Sequence, residues 1–199
     1  MTAENASTDP YGIVVVASSA GGIKGLTAVL GNLGPTLPVP VLVVQHLDPR
    51  HRTVIAEVLA RRTDLPVQLA QDGERAEPGV VYIGPPDRHL LVLADGTLTL
   101  TSTELVHFVR PSADLLFESA AGTYGARTIA CVLTGTGSDG AMGVNAVRAR
   151  GGTVIVQDPQ TAEFDGMPQA AVDTGVVDFV LPLDEIPAVI RGLVEAKRQ

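Results

Sequence analysis

The chain is organised around a short apolar run that ends in two serines and two glycines, Ile13-Val14-Val15-Val16-Ala17-Ser18-Ser19-Ala20-Gly21-Gly22. One isoleucine followed by three valines favours a buried strand, because β-branched side chains are stiff and pack well on a pleated surface. The two glycines permit a sharp turn, and residues 23–33 space their apolar side chains as an amphipathic helix does. The stretch therefore predicts a strand, a tight turn that carries two serines, and a helix.

The composition is typical of one compact domain. The 199 residues are 45% hydrophobic but only 4% aromatic, with no tryptophan, which favours a core of Val, Leu, Ile and Ala such as a buried parallel sheet contains. No internal repeat or linker-like stretch divides the chain. We expect a flexible leader over residues 1–10 and a single domain over residues 11–199.

The charge balance argues against nucleic acid as a partner. The chain has 14 basic and 22 acidic residues, a net charge of -8, which leaves no broad basic surface for phosphate groups. The first ten residues lack the basic and apolar regions of a signal peptide, and no apolar run is long enough to cross a bilayer. We therefore expect a cytoplasmic protein that does not insert into membranes.

Strands and helices alternate along the rest of the chain. Residues 90–93 and 97–101 flank the turn Ala94-Asp95-Gly96 and predict an antiparallel hairpin. The alternation predicts an α/β fold with a mainly parallel sheet. The other predicted strands are residues 41–45, 67–70, 80–83, 128–133, 153–157 and 176–180, and the other predicted helices are residues 53–62, 115–124, the segment ending at Arg150, 167–173 and 183–197.

Polar residues follow three of these predicted strands, where ligands of parallel sheets gather. Ser19 occupies the centre of the turn after the first strand, His46 follows the second, and Asp139 closes the loop after residues 128–133. A serine nucleophile needs an imidazole to take its proton and a carboxylate to orient that imidazole, and these three residues supply those groups. The competing interpretation is that Ser18 and Ser19 only cap the helix.

Several other side chains have alternative interpretations at this stage. Residues 135–140 match G-x-G-x-x-G, with Asp158 after the next strand, which is a dinucleotide fingerprint; Asp139 argues against it, because a carboxylate at the helix N-terminus would repel a pyrophosphate. Ser112 is interpreted as the N-cap of the helix at 115–124, and Cys131 as a buried structural thiol. The remaining candidates are a weak metal site from His46, Asp48 and His51, and the further histidines His51, His89 and His107 as bases.

Seven motifs, in order along nearly the whole chain from Gly12, resemble the catalytic domain of the chemotaxis protein-glutamate methylesterases, often called CheB. Each motif alone is unspecific, whereas seven in the order of one family are highly specific. The motifs lie at residues 17–22, 44–46, 72–79, 86–89, 110–117, 133–140 and 164–168.

This resemblance implies a doubly wound three-layer α/β sandwich and a serine hydrolase. It implies hydrolysis of glutamyl methyl esters on chemoreceptors with release of methanol, and glutamine deamidation as a related activity. The nucleophile would be Ser19, the base His46 and the orienting acid Asp139. Backbone amides at Ala20 and Thr136 are the candidates for stabilising the oxyanion. Neither a cofactor nor a metal is expected.

The chain also departs from the typical chemotaxis members. It has Ala20 where they have threonine, Thr136 where they have methionine, and a short polar leader where they have a receiver domain. We therefore expect an enzyme that is constitutively active or is controlled by a separate partner. The alternatives are a nonenzymatic or nucleotide-binding regulatory module of the same fold, and an esterase with another substrate.

Overall fold

A computed structural model describes residues 11–196 of the chain. The predicted leader, residues 1–10, lies outside this range. Seven strands form one parallel sheet: β1 (Ile13–Ser18), β2 (Val41–Gln45), β3 (Val67–Leu69), β4 (Val81–Ile83), β7 (Thr128–Val132), β8 (Thr153–Gln157) and β9 (Phe179–Leu181). Their order across the sheet is β3-β4-β2-β1-β7-β8-β9.

The predicted hairpin is confirmed as a separate antiparallel ribbon. Its strands are β5 (His89–Val92) and β6 (Leu98–Thr101), with Leu90 opposite Leu100. Leu90, Val92 and Leu98 are buried, so the ribbon covers part of one sheet face. It therefore extends the core instead of projecting into solvent.

Helices cover both faces of the sheet, which confirms a three-layer sandwich. Successive residues of β1 point to opposite faces: Val14 and Val16 join one apolar cluster, and Ile13, Val15 and Ala17 join the other. The helices are α1 (Gly22–Leu30), α2 (Ile55–Ala60), α3 (Ala113–Tyr124), α4 (Ala141–Ala149), α5 (Gly166–Asp173) and α6 (Ile186–Ala196), with a short 3-10 helix at Gly125–Arg127. Helices α1, α2 and α6 pack on the first cluster, and α3, α4, α5 and the hairpin pack on the second.

The last strand differs from its prediction over residues 176–180. Parallel pairing with β8 begins only at Phe179, opposite Ile155. Just before Phe179, the Asp178 carboxylate accepts a hydrogen bond from the Val154 backbone N–H at 2.8 Å. A strand that began earlier would need this N–H for its own backbone pairing with β8. The apolar pair Val176 and Val177 packs instead against the second apolar cluster as loop residues.

Cys131 lies at the centre of the sheet, in β7 between β1 and β8. Its side chain is 0% exposed, and burial raises the pKa of the thiol to about 12. The prediction of a buried structural cysteine is therefore confirmed. Among residues 11–196, no helix has the length and apolar character required to cross a membrane.

The strand order creates a crevice at one edge of the sheet. The strands that follow β1 in the chain, β2, β3 and β4, all lie on one side of it, whereas the later strands β7, β8 and β9 lie on the other side. Connections that leave in opposite directions open a crevice at the carboxyl ends of the two adjacent strands. Here these strands are β1 and β7, so Ser19 and the loop 133–140 lie at this crevice.

Candidate active site

The turn after β1 fixes Ser19 between the two halves of the sheet. The Ser19 backbone N–H donates to the carbonyl of Thr134 at 3.0 Å, which ties the turn to the end of β7. The Ser19 carbonyl accepts from Gly22 N–H at 2.8 Å, and Gly21 has φ 73, a left-handed conformation that favours glycine. The turn therefore leads directly from the strand into α1 and leaves the Ser19 side chain partly exposed at the edge.

A buried glutamine holds the ends of β1 and β2 together. Ser18 Oγ donates to Gln45 Oε1 at 2.6 Å, and Gln45 Nε2 donates to the carbonyls of Ser19 at 2.8 Å and His46 at 3.1 Å. Gln45 thus binds the backbone of both residues that follow these strands. A Cβ on Gly22 would collide with the Gln45 side chain, which explains why glycine is required there.

His46 and Asp139 form a hydrogen-bonded pair. Nε2 of His46 lies 2.8 Å from Oδ2 of Asp139, and their side chains are 14% and 3% exposed. Because this carboxylate is ionised, it can only accept, so Nε2 carries a proton and donates a hydrogen bond to Asp139. Nδ1 of His46 is then the ring nitrogen that can accept a proton.

Asp139 accepts four hydrogen bonds. Oδ2 accepts from His46 and from the Ala113 backbone N–H at 2.6 Å, and Oδ1 accepts from Ser112 Oγ at 2.9 Å and the Asp114 backbone N–H at 3.1 Å. Burial alone would raise the pKa of Asp139, but the bonds from His46, Ala113 and Asp114 outweigh burial and lower it. The carboxylate is therefore held in its charged form.

Ser112 is the N-cap residue of α3, as predicted, but its hydroxyl makes no capping bond within the helix. Asp139, from a distant part of the chain, accepts from the first free N–H groups of α3 instead. The Ser112 hydroxyl is left to donate to the same carboxylate.

The structure places Ser19 beside His46 without joining them by a hydrogen bond. Ser18 and Gln45 are opposite each other in the parallel register, so Ser19 and His46 are the first residues after two neighbouring strands. Within residues 11–196, Ser19 Oγ and His46 Nδ1 have no hydrogen-bond partner. Serine–base bonds are often long in unliganded enzymes and shorten when the substrate binds.

Two backbone amides near Ser19 are also free. In the described part of the chain, the N–H groups of Ala20 and Thr136 donate to no acceptor. The Thr136 loop lies against the serine turn, since a Cβ built on Gly135 would come within 2.9 Å of Ser19 Cβ. Free N–H groups at such a position can stabilise a developing oxyanion.

A second carboxylate argues against the dinucleotide alternative. Asp114 Oδ1 accepts from the N–H groups of Gly140 at 2.9 Å and Gly143 at 2.7 Å, so it covers the N-terminus of α4. The sequence interpretation attributed this anion to Asp139; the structure shows that Asp114 holds the position instead. A pyrophosphate at the start of α4 would meet this buried carboxylate.

The other histidines have partners away from Ser19. His51 pairs with Asp48 at 3.2 Å, and His107 lies 3.3 Å from Asp114. His89 is buried between the Ser112 N–H and the Glu104 carbonyl. Because His46 turns to Asp139, it does not form one cluster with Asp48 and His51, and residues 11–196 contain no group of three side chains arranged to hold a metal.

Sequence reasoning missed the two glutamines that organise this edge. Gln157 ends β8 as Gln45 ends β2, and its Oε1 accepts from the Thr134 N–H at 2.9 Å. Both residues are buried: Gln45 is 5% exposed and Gln157 is 2% exposed. The available signal was a polar residue directly after an apolar run, Val-Leu-Val-Val-Gln and Thr-Val-Ile-Val-Gln.

Comparison with known proteins gives consistent matches over most of the chain. The crystal structure of the Thermotoga maritima CheB methylesterase catalytic domain superposes with a TM-score of 0.87 and 39% identity, covering 94% of this chain and 98% of that one. The protein-glutamate methylesterase/protein-glutamine glutaminase of Thermotoga maritima is 40% identical over 185 residues, which are 92% of this chain and 54% of the relative. A Leptospira interrogans protein with the same two activities in its name is 38% identical over 88% of this chain and 91% of its own length.

The share of each relative's length that this chain covers differs between the two. It spans about half the length of the Thermotoga maritima relative and nearly all of the Leptospira interrogans relative. A sequence model of the CheB methylesterases matches residues 14–190. With this match, the related sequences and the shared fold, the chain belongs to the CheB methylesterase family.

Proposed function

We propose that this chain is a serine hydrolase that cleaves glutamyl methyl esters of a protein and releases methanol. The observation that carries the proposal is the buried His46–Asp139 pair at the carboxyl end of the sheet, next to the turn that carries Ser19. Family relatives are named protein-glutamate methylesterase, and that name supports a carboxylic ester as the substrate.

The proposed first step is attack of Ser19 Oγ on the ester carbonyl carbon. His46 Nδ1 takes the hydroxyl proton, and Asp139 stabilises the imidazolium through the bond to Nε2. The backbone N–H groups of Ala20 and Thr136 bind the oxyanion. When the tetrahedral intermediate collapses, the C–O bond to the methoxy group breaks, and His46 donates its proton to the departing methanol.

The second step hydrolyses the acyl-enzyme. Water replaces methanol beside His46, which takes one of its protons as the oxygen attacks the glutamyl carbonyl. The bond to Ser19 Oγ breaks, the serine recovers a proton, and a free glutamate carboxylate leaves. Glutamine deamidation follows the same steps with ammonia as the leaving group, in line with the second activity in the relatives' names.

The proposed macromolecular substrate is a methyl-accepting chemoreceptor or a similar methylated protein, acted on in the cytoplasm. Regulation by a separate partner is part of this proposal. The departures at Ala20 and Thr136 do not remove the groups that the mechanism uses, because at both positions only the backbone N–H takes part.

The test is methanol release from a methylated receptor. Ser19→Ala should lower kcat by at least about a thousandfold, because the nucleophile is lost. Ser18→Ala is the matched control: it removes the bond to Gln45 and lowers stability, but it leaves the nucleophile in place. Equal methanol release by Ser19→Ala and the wild type would refute the proposal, whereas turnover of small methyl esters but not of receptor would point to another substrate.

A further inference from the structure

We propose that Ser112 is a positioning residue for this reaction, whose hydroxyl holds the Asp139 carboxylate in the orientation that His46 requires. The inference rests on the proposed function, since it concerns the same catalytic acid. It concerns a residue whose position at a helix start suggested only a capping role.

The first support is that His46 and Ser112 donate to different oxygens of Asp139. Oδ2 accepts from His46 at 2.8 Å, whereas Ser112 Oγ donates to Oδ1 at 2.9 Å. With both oxygens held, the carboxylate cannot turn about its Cβ–Cγ bond without losing hydrogen bonds. The backbone N–H groups of Ala113 and Asp114 share in this restraint, and Ser112 is the side chain that contributes to it from the Oδ1 side.

The second support is that the Ser112 hydroxyl is fully committed to this contact. Its side chain is 0% exposed, so no solvent water can replace the hydrogen bond. Within residues 11–196, Asp139 is the partner of its Oγ. A buried carboxylate oxygen that loses such a donor is less stable in its charged form.

The third support is that His89 binds the backbone N–H of Ser112. The Ser112 N–H donates to His89 Nδ1 at 3.1 Å, and His89 Nε2 lies 2.9 Å from the carbonyl of Glu104. Since Nδ1 accepts a hydrogen bond, the ring proton is on Nε2, and this N–H donates a hydrogen bond to the backbone carbonyl of Glu104. A neutral buried histidine in β5 thereby anchors the residue that holds the catalytic acid.

The consequence for catalysis concerns the transition state more than substrate binding. The imidazolium forms only after Ser19 has transferred its proton, and its stability depends on an ionised, correctly directed Asp139. Ser112→Ala should therefore lower kcat about tenfold, the effect of losing one charge-assisted hydrogen bond behind the acid, and leave KM unchanged.

The experiment compares Ser112→Ala with Ser119→Ala in the same helix. Ser119 Oγ bonds to Leu116 and Val92 and does not contact Asp139, so its removal affects only the structure. Two quantities are measured: methanol release with kcat and KM resolved, and the titration of the Asp139 carboxyl by NMR on 13C-labelled protein. We expect Ser112→Ala to lower kcat and move the Asp139 titration to higher pH, and Ser119→Ala to change neither.

Two further variants complete the test. Ser112→Thr keeps the hydroxyl and should restore much of kcat. Ser112→Cys keeps the size of the side chain but has only a weak donor, so it should resemble Ser112→Ala. The cysteine variant replaces the alanine variant in the test if the latter does not fold. An Asp139 titration that is unmoved in Ser112→Ala or Ser112→Cys would overturn the inference. This arm needs no turnover, so it separates failure of the inference from failure of the proposed function, which Ser19→Ala tests.

Discussion

Asp139 serves both the fold and the proposed chemistry with the same two oxygen atoms. Its carboxylate accepts from the start of α3 and also from His46. Each donor favours the charged form, which is the form that stabilises an imidazolium. Stability and hydrolysis should therefore depend on the ionisation of one side chain.

The pH dependence of unfolding should reveal this ionisation. The pKa of Asp139 is lowered from its ordinary 3.8 in the folded chain, so its contribution to stability is present above pH 3.8 and is lost as the pH falls through the folded-state pKa. Asp139→Asn should cost about 3 kcal/mol at pH 7 and flatten the profile at acid pH. Urea unfolding between pH 7 and pH 3 measures this, with the exposed Asp184→Asn as control; parallel profiles for Asp139→Asn and the wild type would contradict it.

At the scale of single residues, the sequence predicted which side chains meet at the sheet edge better than it predicted their individual hydrogen bonds. It placed His46 and Asp139 at the ends of two strands, and the structure joins them. The catalytic roles of Ser19, His46 and Asp139 stay predictions. The bond from the Ser112 hydroxyl was not predicted, because an N-cap serine usually bonds within its own helix, and nothing local shows that a carboxylate 27 positions away supplies the cap.

Helices α3 and α4 cap each other by an exchange of carboxylates. Asp139, just before α4, accepts from the start of α3, and Asp114, within α3, accepts from Gly140 and Gly143 at the start of α4. Burial and the nearby Asp139 charge raise the pKa of Asp114, whereas the two glycine N–H groups act in the opposite direction. The exchange fixes both helix starts relative to the loop 134–140.

Substitutions of Asp114 test this exchange. Asp114→Ala removes the acceptor of two backbone N–H groups and should lower the free energy of unfolding by about 2–4 kcal/mol. Asp114→Asn keeps one acceptor oxygen for both groups and should cost clearly less. Urea unfolding at pH 7 compares the two variants, and an equal loss would show that the capping bonds do not stabilise the helix pair.

At the scale of elements, the sequence predicted the strands with apolar runs most reliably. Residues 41–45 and 153–157 are strands with the predicted bounds, because both are β-branched runs between turn residues. The strand over residues 176–180 was placed too early, since the start of β9 depends on Asp178 and on pairing with β8, which no local pattern contains.

For the whole molecule, the sheet places the apolar core on its two faces and the candidate active site at one edge. The two apolar clusters lie on its faces, whereas Ser19, His46 and Asp139 lie at one edge, in loops that the strands hold in place. The alternation of strands and helices was enough to predict this division. The strand order was not predictable in the same way, because it depends on which distant segments pair.

The reactivity of Cys131 can be used to measure how often the sheet opens. The only cysteine of the chain is fully buried in β7, an interior strand next to the central strand β1, and a thiol with a pKa of about 12 is hardly ionised at neutral pH. A thiol-modifying reagent should therefore label the native protein only when β7 is exposed by unfolding, and protein in concentrated urea should react at once. The labelling rate, followed by mass spectrometry, would then report how often the centre of the sheet opens; labelling as fast as in urea would contradict this.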